Sequence, residues 1–201
     1  VLTAGQFGSV CTMNLSGDHP ETNLPYLLVE PLVGGWGGCD NKDGESGQFC
    51  VGNGETSNIP IEITEARYGV RVQQYAFNQD SGGSGEFTGG RGVILDYKIL
   101  SENTQLSSFF GRGETPPWGI DGGDEGSCNF VEVFDNQGER KAKFSRISRY
   151  ALNKGDTLRL TTGNGGGWGL PTNRSPAKIA RDIQNGFINQ AQANEIYGHQ
   201  R

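Results

Sequence analysis

Residues 80–100, with the sequence DSGGSGEFTGGRGVILDYKIL, place two glycine-rich clusters directly before an apolar run. Clusters of glycine and serine mark turns, and the run at residues 93–100 is rich in apolar, β-forming side chains. It therefore predicts a strand. Because glycine clusters and short apolar runs alternate along most of the chain, we expect a mainly antiparallel β-structure with glycine-rich loops.

The segment before this stretch also has a strand pattern. Residues 59–77 alternate apolar and polar side chains, and the alternation slips by one residue at Gln73 and Gln74, which predicts a β-bulge. Together with residues 93–100 this segment predicts a β-meander. Residues 1–54 are interrupted by glycine so often that we expect little regular structure there.

Two later segments continue the β-pattern. Residues 130–144 predict a hairpin, because the loop at residues 135–138 contains asparagine and glycine, which tolerate the left-handed backbone of a tight turn. Residues 157–161 alternate and predict a further strand. No internal repeat is visible along the chain.

The last thirty residues have helix signals instead. Ser175 can cap a helix that has Pro176 at its first position and ends before Gly186, and Asn189 can cap a second helix that ends before Gly198. Within the second helix, Gln192 completes a capping box, and Ile188 can staple against Ala193. The fold class we expect is α+β, with a β-rich region at residues 1–170 and a helical tail at residues 171–201 packed on the same domain.

Composition limits the function classes. The 201 residues include 33 glycines and have a net charge of −6, and the 17 Lys and Arg form no run dense enough to follow a phosphate backbone. No apolar stretch approaches the roughly 18 residues of a membrane span. We therefore expect neither nucleic acid nor membrane as a partner, and a cytoplasmic location. Because the sequence starts without Met, we also expect a split or processed polypeptide.

Metal and redox signals are sparse. Cys11, Cys39, Cys50 and Cys128 form no C-x-x-C pair, so free structural thiols are the favoured interpretation, and a zinc site assembled from distant cysteines or completed by a partner is the alternative. The two histidines are His19 and His199. His19 follows Asp18 and could supply half of a metal site, but a turn is favoured, and we expect His199 to be solvated.

Nucleophile and nucleotide motifs are equally scarce. Ser84 lacks the flanking pattern of a serine hydrolase, and no P-loop occurs. The backbone amides of residues 163–169 could form an anion-binding nest. Residues 34–38, centred on Trp36, are interpreted equally well as a packed loop or as an interface.

The most distinctive loop is GRGETPPWGIDGG at residues 111–123. Arg112 could bind a carboxylate or phosphate beside an apolar wall formed by Trp118, whereas the favoured interpretation is that Arg112 and Glu114 pair with each other around a turn. No catalytic residue is identified. The candidate substrate-binding or interface residues are Trp36, Arg112, Glu114, Trp118, Gly165, Gly166, Gly167 and Trp168.

Several of these blocks resemble one protein family. Residues 81–93 resemble the D-S-G-G-x-G-x-x-x-G-G-x-G block of the hydantoinase B/oxoprolinase family, and residues 112–119 resemble its R-x-x-x-P-P-x-G loop. Residues 1–9, 161–169 and 181–198 are similar to further blocks of the family, in the same order. Pro171 and the three residues after it depart from the family pattern, which commonly has an acidic residue there.

The resemblance implies an ATP-dependent enzyme complex that hydrolyses a cyclic amide such as a hydantoin, oxoproline or a lactam. It implies a hydantoinase A-type ATP-binding subunit as partner and a divalent metal whose His and Asp ligands belong to the upstream half of the B-type subunit. ATP and metal would thus bind outside this chain, which would contribute scaffold and interface and be inactive alone. The alternatives are a subunit of an aromatic ketone carboxylase and a non-enzymatic β-rich binding module.

Overall fold

The computed structural model describes residues 2–80 and 82–198, and in these residues nine strands form two antiparallel sheets. The strands are β1 (Thr12–Asp18), β2 (Pro25–Pro31), β3 (Val70–Phe77), β4 (Val93–Ile99), β5 (Thr104–Phe109), β6 (Phe130–Phe134), β7 (Arg140–Phe144), β8 (Arg146–Leu152) and β9 (Thr157–Thr161). The first sheet has the order β2-β1-β5-β8 and the second the order β3-β4-β9-β6-β7. The helices are α1 (Ile61–Arg67), α2 (Pro176–Gln184) and α3 (Gln190–Tyr197).

The main core lies between the two sheets. Strands β1, β5 and β6 bury alternate side chains, as expected where one face of a sheet packs on another layer. From the first sheet the core receives Met13, Leu15, Leu28, Leu106 and Leu152, and from the second Val70, Leu95, Tyr97, Ile99, Val131, Val133, Leu158 and Leu160. One hydrogen bond crosses this core, because the Tyr97 hydroxyl donates to Glu30 Oε2 at 3.1 Å.

A layer of glycine-rich segments covers one part of this sandwich. Main-chain amides in these segments donate directly to carbonyls of other segments, such as Gly35 to Gly163 (3.1 Å) and Gly165 to Gly90 (2.9 Å). These segments come too close together for side chains. A Cβ would lie closer than 3.0 Å to a backbone atom of a neighbouring segment at Gly35, Gly37, Gly90, Gly165, Gly166 and Gly167, among others.

Gly165 is the clearest case. A Cβ at this position would lie 2.0 Å from the carbonyl oxygen of Trp36 and 2.7 Å from the amide nitrogen of Gly37. Its φ angle is not positive, so the need for glycine arises from close approach and not from backbone conformation. The glycine content of the chain therefore specifies packing as well as turns.

The expected strand at residues 59–77 is only half correct. Residues 61–67 form helix α1, which starts directly after Pro60 and leaves Ile61 and Ile63 exposed, whereas Ile59 precedes the helix and packs against the core. Strand β3 follows, and its pairing with β4 shifts between Val72 and Gln74, which confirms the bulge. The antiparallel pairing of the two predicted strands is confirmed, because β3 and β4 are neighbours, but the sheet does not continue as a meander, since the other neighbour of β4 is the distant strand β9.

The N-terminal region has more regular structure than expected, because β1 and β2 form a hairpin within residues 1–54. Strands β5 and β8 have no counterpart among the sequence predictions. The hairpin of β6 and β7, strand β9 and both tail helices are confirmed, including the Ser175 cap and the capping box of Asn189 and Gln192. The fold is α+β, as expected. None of the helices in the described part of the chain is long and apolar enough to cross a membrane.

We predict that Gly165→Ala destabilises the fold by at least about 3 kcal/mol, the upper end of the range for overpacked interiors. The physical reason is the 2.0 Å approach of the new Cβ to the Trp36 carbonyl oxygen. Urea unfolding followed by far-UV circular dichroism measures the change. Gly54→Ala is the control, because a Cβ at Gly54 meets no atom within 4 Å and its φ is −60°. Equal stability of the two variants would contradict the close-packing argument.

A second prediction concerns Glu30, which is 5% exposed. Burial raises the pKa of its carboxyl from 4.5 to about 7, although the hydrogen bond from Tyr97 opposes this shift. A raised folded-state pKa contributes stability below pH 4.5 that is lost as the pH rises through about 7. Glu30→Gln removes this ionisation, so the wild type should lose up to about 3 kcal/mol relative to the variant across that window.

Unfolding free energies of both proteins, measured on either side of the window, test this second prediction. Glu114→Gln serves as the control, because it makes the same substitution at an exposed position. Parallel pH profiles for the wild type and Glu30→Gln would show that Glu30 does not hold its proton in the folded state.

Candidate functional site

Three sequence blocks that lie far apart in the chain meet at one cavity of about 180 Å³. The cavity lies between the glycine-rich loops and the tail helices α2 and α3. The loops contribute Gly82, Gly83, Ser84, Gly89 and Arg91, an early segment contributes Asp43 and Ser46, and the tail contributes Arg174, Arg181, Asp182, Phe187, Ile188 and Tyr197. Residues of the 81–93 block and of the 181–198 block thus share one wall.

Arg174 is the centre of the charged side chains in this cavity. Its side chain is 2% exposed, and it forms ion pairs with Asp43 at 2.8 Å and with Asp182 at 2.9 Å. Its Nη1 also donates to the carbonyl oxygen of Glu86 at 3.0 Å. Lys178 adds a further ion pair to Asp43 at 3.1 Å. The network therefore joins the tail to two segments that precede it by more than eighty residues.

Burial and pairing act in opposite directions on these groups. At Asp43 burial favours the neutral carboxyl, but the hydrogen bonds and charge of Arg174 outweigh burial and lower the pKa. Burial also opposes the charge of Arg174, yet the hydrogen bond and charge of Asp43 raise its pKa. At Asp182 burial dominates and raises the pKa. The Asp43–Arg174 pair is thus held in its charged form.

Arg91 provides a second link between the loops and the tail. Its Nη2 donates to the carbonyl oxygen of Phe187 at 2.6 Å, and its guanidinium lies 5.7 Å from the centre of the Phe187 ring. Its Nη1 donates to the carbonyl oxygens of Asn78 and Asp80. Burial lowers the pKa of Arg91. A guanidinium occupied by three carbonyls acts mainly as a structural link.

Asn129 is a polar residue of the glycine-rich layer that the sequence analysis did not single out. Its side chain is fully buried and donates to the carbonyl oxygens of Phe7 and Gly111, both at 2.7 Å, while it accepts from the Gly163 amide at 2.6 Å. Neither Asn129 nor Arg174 lies in a recognisable local motif. Their roles depend on partners up to 131 residues away in sequence, so although residues 171–174 depart from the family pattern, that departure does not show which residues Arg174 contacts.

The tryptophans have different environments. Trp36 packs against the core and donates from Nε1 to the carbonyl oxygen of Phe49 at 2.9 Å, and Trp168 lies with its ring 5.8 Å from that of Phe87. Trp118 is 51% exposed. The guanidinium of Arg112 lies over its ring, 4.8 Å from the ring centre. An interface or substrate role remains a prediction for all three, and Trp118 is the most accessible of them.

The favoured pairing of Arg112 with Glu114 is wrong. No ion pair between them occurs in the structure, although both residues line the same open cavity, and Glu114 is exposed. Arg112 stacks on Trp118 instead. The loop at residues 111–118 therefore leaves the guanidinium of Arg112 without a carboxylate partner from the described chain.

The anion-binding nest at residues 163–169 is also wrong. All seven amides of this segment already donate hydrogen bonds to acceptors in the same chain, for example Gly166 to Gly5 and Gly167 to Asp124. Gly165, Gly166 and Gly167 are buried. Their backbone groups hold the glycine-rich layer together and are not available to an anion.

The remaining candidates for metal binding are distributed singly. His19 lies in the turn after β1, where its Nδ1 accepts from the amides of Glu21 and Thr22, and the turn prediction is confirmed. Cys11 and Cys50 are buried, and burial raises the pKa of the Cys11 thiol to about 12. His199 lies outside the described residues. Within residues 2–80 and 82–198 no group of three or more His, Cys, Asp or Glu could hold a metal ion, so these residues do not fit the implied divalent metal.

We predict that Arg174→Met loosens the tail, because it leaves Asp43 and Asp182 without their buried partner. Removing one partner of a buried ion pair lowers the free energy of unfolding by at least about 3 kcal/mol. We expect this lower value here because Asp43 is partly exposed. Amide hydrogen exchange followed by mass spectrometry should show that exchange in the variant, relative to the wild type, accelerates more in α2 and α3 than in β4 and β9. The control is Arg140→Met, which breaks an ion pair between the exposed Arg140 and the half-buried Glu132 and should cost about 1 kcal/mol or less. Unchanged exchange in the tail helices would refute the role of Arg174.

The chain is similar to known proteins along almost its full length. It is 29% identical over 192 residues to the B subunit of a putative D-/L-hydantoinase from Pseudomonas sp. strain NS671, and the match covers 95% of this chain and 32% of that protein. The solved structure of an ATP-dependent caprolactamase from Pseudomonas jessenii matches with a TM-score of 0.85 and 23% identity, covering 98% of this chain and 35% of that one. A nucleotide-free acetone carboxylase matches with a TM-score of 0.80 and 19% identity, covering 93% of this chain and 29% of that one.

At these identities the two solved structures establish a common fold. The chain spans about a third of the length of the hydantoinase relative that it matches. The profile of the hydantoinase B/oxoprolinase family matches residues 1–171, which include the glycine-rich layer and both sheets. The chain therefore belongs to the hydantoinase B/oxoprolinase family.

Proposed function

We propose that this chain is part of an ATP-dependent enzyme complex that hydrolyses a cyclic amide, such as a hydantoin, oxoproline or a lactam. The observation that carries the proposal is the family match over residues 1–171. The relatives support it by their names, since one is part of a putative hydantoinase and another is an ATP-dependent caprolactamase. In this complex the chain contributes scaffold and interface.

The division of labour within the complex is part of the proposal. The described residues hold no cluster that fits a divalent metal, and the sequence has no P-loop. We propose that the metal is bound by the upstream half of a B-type subunit and ATP by a hydantoinase A-type subunit. What this chain supplies is a rigid layer of backbone segments, on which the Arg174 network holds the tail. The cytoplasmic location remains a prediction.

A carboxylase subunit is the second candidate. The specific observation in its favour is the common fold with an acetone carboxylase, at a TM-score of 0.80. Hydrolysis of a cyclic amide and carboxylation of a ketone differ in the reacting bond, and no described residue of this chain discriminates between the two substrates. We favour the hydrolase over the carboxylase because the hydantoinase relative is more similar to this chain in sequence than the acetone carboxylase is.

We predict that the isolated chain has no ATP-dependent amidase activity and that the native protein forms a larger complex. The reason is that the described residues provide neither a metal cluster nor a phosphate-binding loop. Native mass spectrometry and size-exclusion chromatography of the protein from its own source measure the complex. Phosphate release with hydantoin, 5-oxoproline or caprolactam measures hydrolysis, and acetone with bicarbonate measures carboxylation.

The outcomes separate the candidates. Phosphate release that depends on a cyclic amide and on the co-purified subunits supports the hydrolase, and release that depends on the ketone supports the carboxylase. ATP-dependent turnover by the isolated chain would overturn the division of labour. A native protein that remains a monomer would contradict the complex itself.

A further inference from the structure

A second cavity, of about 320 Å³, lies at the start of β8 beside the Arg112 loop. It is lined by Arg112, Gly113, Glu114, Thr115, Ser145 and Arg146. Two of these six residues carry guanidiniums, in a protein whose net charge is −6. The volume is at the lower end of the ~300–1,000 Å³ range of ligand pockets, so the cavity suits a small molecule.

Arg112 is fixed in place by its neighbours on two sides. Its guanidinium lies 4.8 Å from the centre of the Trp118 ring, and its side chain packs against Gly8, where an added Cβ would come within 2.8 Å of the Arg112 Nε. The structure gives the guanidinium one weak protein acceptor, the carbonyl oxygen of Pro116 at 3.4 Å. Most of its hydrogen-bond donors therefore have no acceptor within the described part of the chain, although its position is fixed.

The backbone at Arg112 is held in an uncommon conformation. Its φ is +50°, in the left-handed region that non-glycine residues rarely adopt. The surrounding structure imposes this conformation, because the buried Asn129 donates from its side chain to Gly111 and from its amide to the carbonyl oxygen of Arg112. Strained backbone of this kind persists where the structure over-determines it, and it often accompanies a binding site.

Arg146 approaches the cavity from the other side. It is the first residue of β8, where it pairs with Phe109 of β5, and its guanidinium lies 5.0 Å from the centre of the Phe109 ring. In the described part of the chain neither Arg112 nor Arg146 forms an ion pair. Among the described residues that line the cavity Glu114 is the one carboxylate, so these residues sum to one positive charge.

We propose that Arg112 and Arg146 form a binding site for a small oxyanion, a carboxylate or a phosphate. A guanidinium presents a planar fork of donors that matches the oxygens of either group, and the two forks that line this cavity form no ion pair within the described part of the chain. The ring of Trp118 is a positioning element that keeps the Arg112 fork directed at the cavity. The site goes beyond the proposed function, because it requires only this chain.

The test is a calorimetric titration of the isolated chain with two probes, inorganic phosphate and glutarate, at constant ionic strength. Saturable binding of phosphate alone identifies a phosphate site, and saturable binding of glutarate identifies a carboxylate site. We expect Arg112→Gln and Arg146→Gln each to weaken binding at least tenfold, because each removes a charged fork of donors. Glu114→Gln should strengthen binding severalfold, because it removes the carboxylate that competes with the anion.

Two further variants separate a specific site from general charge. Arg140→Gln changes the net charge equally but lies in an ion pair with Glu132, outside the cavity lining, and should leave affinity unchanged. Trp118→Ala should weaken binding, and Trp118→Phe should restore it, because phenylalanine retains an aromatic face for Arg112. Arg146 is exposed, so Arg146→Gln keeps the test valid if Arg112→Gln misfolds.

Absence of saturable binding to both probes would overturn the proposal. Equal affinities of the wild type, Arg146→Gln and Glu114→Gln would overturn it as well, since binding would then not involve the cavity. These results do not depend on partner subunits. A native protein that forms no complex would refute the proposed function but not the anion site. A native complex with cyclic-amide hydrolysis, together with an isolated chain that binds neither probe, would refute the anion site but not the proposed function.

Discussion

Direct hydrogen bonding between glycine-rich main-chain segments is the constraint on which the rest of this structure depends. The amides of Gly35, Gly165 and Gly166 donate to carbonyls of segments far away in sequence, and at these positions a Cβ would collide with neighbouring backbone. Glycine usually costs conformational entropy on folding. Here that cost is offset because the segments satisfy one another's backbone groups over a large buried area.

Buried asparagine side chains complete the hydrogen bonding of this layer. Asn129 connects three segments, and Asn164 accepts from the Gly92 amide and donates to the carbonyl oxygen of Asp80. An amide side chain can donate and accept at once, so it can substitute for a missing main-chain partner. The contacts of Asn129 with Gly111 and Arg112 explain how Arg112 is kept at a φ of +50°.

Both cavities lie at the margins of this layer. The tail helices cover one margin, where the buried Arg174 is neutralised by Asp43 and Asp182. At the other margin Arg112 and Arg146 lack such partners in the described chain. The contrast has a physical meaning, because paired buried charges stabilise a contact within the chain, whereas fixed and unpaired guanidiniums remain available to an external anion.

The sequence by itself determined the features that depend on near neighbours. The caps at Ser175 and Asn189, the hairpin of β6 and β7 and the bulge after Val72 follow from residues a few positions apart, and the glycine blocks identified the family. Local periodicity failed in the segment before β3. Ile59, Ile61 and Ile63 alternate like a strand, yet residues 61–67 form α1, which leaves Ile61 and Ile63 exposed.

Only the tertiary structure decided which side chains meet. The partners of Arg174 and Asn129 lie as far as 131 and 122 residues away, and no local pattern encodes such distances. For the same reason the sequence could not show that Arg112 stacks on Trp118 and does not pair with Glu114. The choice between them depends on the position of Gly8 and Asn129, which the glycine-rich layer fixes only once all its segments have come together.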